Sequence, residues 1–273
     1  MKGLRVSQGI IFPLSAFPEI TTLYGALASQ VGLSAATATL LATSFDALLN
    51  ITKWEPTPLA IIPGKTLGLC PNFIPQPIWP RAQNIVDQIF PSHNKVYQIS
   101  EKLDGLTMHI YKCTTATPEV GVCSRVHNFV NTPSNLYWTT AHTSSILSKI
   151  HTIPHPNIVI QGELVGSTIE HNSMNYPPNT HEFIVFAIWD LDTGSYINPK
   201  TVEEMCRELR IPHVKVLDYA PMEKYASNIE ELLEFACRIG KFGAAREGLV
   251  FKSMDGEMTF KVVSNEWLGI TGK

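Results

Sequence analysis

Seven prolines fall between Trp54 and Pro80, at positions 56, 58, 63, 71, 75, 77 and 80. Proline lacks an amide donor and clashes with the preceding helical turn, so no long helix can cross this stretch. It reads as an extended connector lying along a surface. The sequence on its two sides differs. Before it, Ile20 to Phe45 carries no charged residue and is rich in Ala, Ser and Thr. That length could suggest a membrane span, but Gly25, Gln30 and Gly32 favour a buried or partly buried helix, and the expectation is no membrane. The apolar start around Gly9-Ile10-Ile11-Phe12 is cut short by Pro13, which argues against a signal peptide.

After the connector the chain reads as strands. Tyr97 and Ile99, then Met108 and Ile110, alternate with polar neighbours, so Val96 to Lys112 predicts strand, tight loop, strand, with Asp104-Gly105 as the turn. Asn157 to Val165 predicts another strand. Glu182 to Ile197 predicts a hairpin closing at Asp192-Thr193-Gly194, and Gly248 to Val263 one closing at Asp255-Gly256. Two helices have terminal signals. Asn198-Pro199 precedes an apolar stripe of Val202, Met205 and Leu209. Ser227 and Glu230 read as a capping box before Leu232, Leu233 and Ala236, with Gly240 as the stop. The pattern predicts an α+β fold with antiparallel sheets.

The formal net charge is -3, with 44% hydrophobic and 16% charged residues. A dedicated nucleic-acid binder usually carries a basic surplus, so any polynucleotide contact must come from a local basic face or another domain. The five cysteines include no close-spaced pair, which argues against a disulfide framework or zinc cluster and suits a reducing, intracellular compartment. His151 and His155 are four apart, but Pro154 lies between them and breaks a shared helical face.

The chemistry concentrates in Glu101-Lys102-Leu103-Asp104-Gly105. A lysine at a strand end, beside a tight turn, is held rigidly. To act as a nucleophile its amine must be neutral, a state favoured by a nearby cation or partial burial. Alone, Lys-x-Asp-Gly describes many exposed turns. Later segments add weight. Gln161-Gly162-Glu163-Leu164 places a carboxylate in an apolar strand, where it needs a partner or ligand. Phe183-Ile184-Val185-Phe186 offers an aromatic face. Arg246-Glu247-Gly248-Leu249-Val250-Phe251-Lys252 brings a carboxylate and a lysine, and Lys261 follows.

In this order the segments resemble the covalent nucleotidyltransferase superfamily of ATP-dependent DNA and RNA ligases and mRNA capping enzymes. The resemblance covers about residues 96 to 268. It implies a nucleotidyltransferase (ATP-grasp-like ligase) domain of antiparallel sheets flanked by helices. The finer likeness is to RNA ligases, because DNA ligases and capping enzymes generally carry an arginine where this chain has Thr107, and continue into a C-terminal OB domain for which 12 residues after Lys261 leave no room. The segments Arg5 to Gly9 and Ile51 to Pro56, and Arg81-Ala82-Gln83-Asn84, resemble elements of the RNA ligase family that has an N-terminal OB domain. The expected division is an N-terminal extension and connector over 1–80, a remnant of such a junction, and a ligase domain over 81–273.

The resemblance implies that Lys102 becomes covalently adenylylated by ATP, that AMP passes to an RNA 5′-phosphate, and that a 3′-hydroxyl seals the strand. The nucleotide would meet Glu101, Asp104, Gly105, Arg125 (in Cys123-Ser124-Arg125), Glu163, Phe186 (with Phe183 as rival), Lys252 and Lys261. Asp104, Glu163 and Glu247 would hold Mg²⁺ or Mn²⁺, and Arg81 would meet RNA. The expected partners are RNA ends, a nicked duplex among them, met by a monomer. Many relatives use Lys-x-Lys where this chain has Lys261 alone, a departure that bears on one step of the reaction. DNA ligation, capping-type guanylyl transfer and a non-catalytic nucleotide- or RNA-binding module are the alternatives.

Overall fold

The computed structural model describes residues 13–50, 65–90, 95–237 and 246–271. The chain divides into two compact units, one ending at Ala60 and one starting at Ile61. In the first, α1 (Pro18–Val31) and α2 (Leu33–Leu41) replace the single apolar helix expected. Gly32 separates them at φ 83°, a conformation open to glycine at little cost. Ile20 and Ala36 are buried, whereas Leu33 and Leu41 are exposed, so the stretch is at most partly buried. The segments Arg5 to Gly9 and Ile51 to Pro56 lie outside the described residues, as does Gly240. Among the described residues, no helix is long and apolar enough to cross a membrane.

The second unit is built on two antiparallel sheets. Its strands are β1 (Thr66–Leu69), β2 (Val96–Lys102), β3 (Leu106–Lys112), β4 (Val120–Ser124), β5 (His127–Phe129), β6 (Ile158–Gly166), β7 (His181–Asp190), β8 (Ser195–Tyr196), β9 (Val216–Pro221), β10 (Gly248–Ser253) and β11 (Thr259–Val263). Its helices are α3 (Val86–Ile89), α4 (Leu136–Thr143), α5 (Ile146–Lys149), α6 (Pro199–Glu208), α7 (Ile229–Ala236) and α8 (Asn265–Thr271). Seven strands pair in the order β1-β5-β4-β3-β6-β7-β8, and four in the order β11-β10-β2-β9. Both expected hairpins form, as β7–β8 and β10–β11.

Strand, loop, strand is present at 96–112, but its arms do not pair with each other. β2 lies in the four-stranded sheet beside β10 and β9, and β3 in the seven-stranded sheet beside β4 and β6. The chain changes sheet within residues 103–105.

Side chains alternate across a strand, so each sheet has two destinations for them. In the four-stranded sheet Tyr97, Ile99, Leu249, Phe251, Phe260 and Val262 form one core with Leu232 of α7 and Ile89 of α3. The Phe251 and Phe260 rings stack at 4.9 Å. In the seven-stranded sheet Met108, Ile110, Ile160, Phe183 and Val185 pack with Trp138 of α4, Ile146 of α5 and Val202 of α6. Each such side chain withdrawn from water contributes roughly 1.5–3 kcal/mol. The remaining positions of β2 and β10, among them Ser100, Lys102, Val250 and Lys252, line a cleft together with Thr107, Glu163 and Phe186 of the other sheet.

The connector becomes part of this unit. β1 pairs with β5, Ile74 is buried, and the Gln161 side chain donates to the Pro75 carbonyl at 2.6 Å. Two cap readings differ in outcome. Asn198 caps α6, its side chain accepting from the Lys200 amide, as expected. At α7 the box is displaced by one residue. Asn228 caps the helix by accepting from the Glu231 amide, and Glu231 reaches back to the Ser227 amide at 2.8 Å. The helix begins one residue later than the sequence suggested, with asparagine, an equally good cap, in the half-helical position. His155 faces Asp190, its Nδ1 2.8 Å from Oδ2.

Candidate active site

Lys102 ends β2 at the floor of the cleft. Gly248 is registered opposite it, so Glu247 stands just outside the ladder and its Oε1 forms a short ion pair with the Lys102 amine. Glu247 is fixed from two sides. The Ser264 amide donates to its carbonyl at 2.8 Å. Before it, the buried Arg246 guanidinium donates to the Phe235 and Ala236 carbonyls at the end of α7, where cations are favoured. Glycine is required at 248 because a Cβ there would come 2.0 Å from the Val262 carbonyl oxygen.

Across the cleft, Glu163 sits on β6 opposite Thr107 of β3. Its carboxyl is pushed up to about 8, first by burial, with Glu247 and Asp104 adding to the shift and Lys102 opposing it. Asp104 accepts a hydrogen bond from the Ser173 hydroxyl at 2.6 Å. Ser173 thus supports the site, and no pattern in the sequence pointed to it. Gly105 lets the crossing chain pass close to β6.

A cavity of ≈ 230 Å³ joins these elements. It is lined by Glu101, Lys102, Arg125, Glu163, Phe186, Lys252 and Lys261 from the expected set, and by Trp79, Ser100, Thr107, Val214 and Val250, none of which that set named. Phe186 faces this cavity, whereas Phe183 is wholly buried in the core. Buried Lys252 donates to the Phe186 carbonyl, and burial brings its amine down to about 7. Lys261 is lowered chiefly by burial, then by the charges of Lys102 and Arg81. Arg81 approaches through a parallel backbone bridge to Lys261, whose amide donates to the Pro80 carbonyl at 2.9 Å. Trp79 comes from the connector, and its proline neighbours masked it as a site residue.

The cleft therefore sets cations from several elements against the carboxylates of Glu101 and Glu163, with Glu247 paired to Lys102, although the whole chain is slightly acidic. Among the described residues, no group of three His, Cys, Asp or Glu stands close enough to hold a metal ion directly.

A lysine between two antiparallel sheets, with carboxylates and cations around one cavity, is the arrangement that a nucleotidyltransferase needs. The RNA ligase family model matches residues 95–263, and the chain belongs to that family. It is similar to a mutant of Naegleria gruberi RNA ligase with ATP and Mn, at 28% identity and TM-score 0.72, over 98% of this chain and 74% of that one. The same enzyme with PPi matches at 29% identity and TM-score 0.72, over 97% and 73%. Another mutant, with AMP and Mn, matches at 28% identity and TM-score 0.71, over 97% and 73%. No curated protein sequence matches the chain.

Proposed function

We propose that this chain is an ATP-dependent RNA ligase that works through a lysyl-AMP intermediate on Lys102. The observation that carries the reading is the Lys102 amine held by Glu247 at the floor of a cavity lined by further cations. In the first step Lys102 Nζ attacks the α-phosphorus of ATP. A P–N bond forms, the bond to the bridging oxygen breaks, and pyrophosphate leaves. Glu247, in contact with the amine, orients it and receives its proton. Lys252 and Lys261 offset the phosphate charge, and Arg125 meets ribose or phosphate. Phe186 stacks on adenine. Glu101, which lines the same cavity, also meets the nucleotide.

The AMP then moves to an RNA 5′-phosphate, whose oxygen attacks phosphorus and frees Lys102. An RNA 3′-hydroxyl next attacks the 5′-phosphorus, and AMP departs. Arg81 contacts the RNA. Asp104, Glu163 and Glu247 are oxygen donors of the kind a hard cation takes, and the charges of Glu247 and Asp104, which add to the effect of burial on Glu163, are charges that it would offset. Mg²⁺ or Mn²⁺, held there partly through water, would supply charge neutralisation at the phosphates. The catalytic domain runs over 81–273, with 1–80 as an extension whose later part joins the seven-stranded sheet. The protein acts as a monomer.

Incubation with ATP labelled at the α-phosphate and a divalent metal tests the reading. The wild-type chain gains covalent label and an AMP-sized mass increment, and Lys102→Ala gains neither. Label on Lys102→Ala overturns the assignment. Preference for GTP would instead support capping chemistry, and nucleotide binding without an adduct would support a binding module.

A further inference from the structure

A second cavity, of ≈ 190 Å³, adjoins the first on the side away from Lys102. Tyr196, Asn198, Met254 and Thr259 are among its lining residues. Three side chains line both cavities: Trp79, Phe186 and Lys252. They hold one another. The Trp79 and Phe186 rings meet edge to face, with centroids 5.4 Å apart and planes at 71°. The Lys252 amine stands 5.4 Å from the Trp79 ring and 5.6 Å from the Phe186 ring, within cation–π range.

The members differ in how they are anchored. Phe186 and Lys252 belong to β7 and β10, whose ladders fix them. Trp79 enters on the extended segment, which is clamped on both sides. Gln161 donates to the Pro75 carbonyl at 2.6 Å, and Lys261 to the Pro80 carbonyl at 2.9 Å. Trp79 is thus placed as firmly as a strand residue, with open space both in front of it and behind it. Trp79 shares the boundary between the two spaces with Phe186 and Lys252, so shortening it would widen the opening between them.

We infer that Trp79 is the specificity-determining wall of the nucleobase pocket: it limits the size of base that the cleft admits, and it holds the Phe186 ring and the Lys252 amine in place. The inference rests on the reading of the cleft as the nucleotide site. A pocket boundary one side chain thick discriminates by bulk, and an added group that has nowhere to go is rejected by about tenfold or more.

The test uses the full chain and its covalent labelling, with ATP and with ATP analogues carrying a benzyl group on the base at N6, C2 or C8, all labelled at the α-phosphate. The readout is the rate ratio of analogue to ATP, in which a general loss of activity cancels. In Trp79→Ala this ratio rises at least about tenfold over wild type for one analogue or more. In Trp79→Phe, which keeps a ring at the boundary, it stays near the wild-type ratio. Trp79→Leu, with intermediate bulk, serves if the alanine variant does not fold, and its ratio also rises. An unchanged ratio in the folded alanine or leucine variant overturns the inference while leaving the ligase reading intact. If the wild-type chain takes no label from ATP, the reading of the cleft fails and the inference fails with it.

Discussion

Lys102 and Glu247 meet at the end of the β2–β10 ladder, because Gly248 is registered opposite Lys102 and the carboxylate stands one residue outside the pairing. Strand register therefore brings the lysine and the carboxylate together although 145 positions separate them. Replacing the carboxylate isosterically isolates its role. Glu247→Gln is expected to slow adduct formation roughly 100-fold, the scale of a lost proton acceptor. ATP binding should change far less, and single-turnover labelling with a titration of ATP separates the two effects.

Half-buried Glu163 and buried Lys252 give opposite pH dependences of stability. Glu163 is pushed up to about 8 from 4.5, so between those values the folded chain keeps a proton that the unfolded chain has released. Stability then falls as pH rises through that window, by at most about 1.4 kcal/mol per pH unit. Lys252 is brought down to about 7 from 10.5, so the folded chain has released a proton that the unfolded chain still holds. Its contribution rises with pH between those values. Urea midpoints measured from about pH 5 to about 9 test both signs. Glu163→Gln should flatten the fall, and Lys252→Met the rise.

Gly105→Ala should destabilise the ligase domain. The added Cβ would lie 2.5 Å from the Leu164 carbonyl oxygen, 2.8 Å from Val165 Cγ1 and 2.9 Å from Glu163 Cγ. Forcing these apart costs about 1–3 kcal/mol and displaces the strand that bears Glu163. The urea midpoint and the labelling rate should fall together. Gly25→Ala, where nothing lies within 4 Å of the new atom, should not lower the midpoint.

Much of the ligase domain was legible because strand periodicity and turn residues are local signals. Both hairpins and the Asn198 cap follow from a few adjacent residues. Partner choice was not legible: alternation in Tyr97-Ile99 and Met108-Ile110 assigns faces, and nothing in it says that β2 and β3 belong to different sheets. The resemblance to a known family, rather than spacing, grouped Lys102, Glu163, Glu247 and Lys261; in the structure Lys102, Glu163 and Lys261 line one cavity and Glu247 pairs with Lys102. Trp79 was hidden because proline-rich chain advertises only that it is extended. Ser173 was hidden because a hydroxyl that supports a carboxylate carries no spacing rule. At α7 the sequence pointed to Ser227 as the cap, and the folded chain instead uses its neighbour Asn228.

The sheet change at 103–105 also governs how the cleft can move. The four steps from Lys102 to Leu106 reach no more than about 14 Å even when fully drawn out. Lys102 on one sheet and Leu106 on the other are therefore bound together like facing pages at the spine of a book. That tether keeps the Lys102 end of the cleft closed, so Lys102 stays near the strand pair that bears Glu163 however the cleft opens elsewhere.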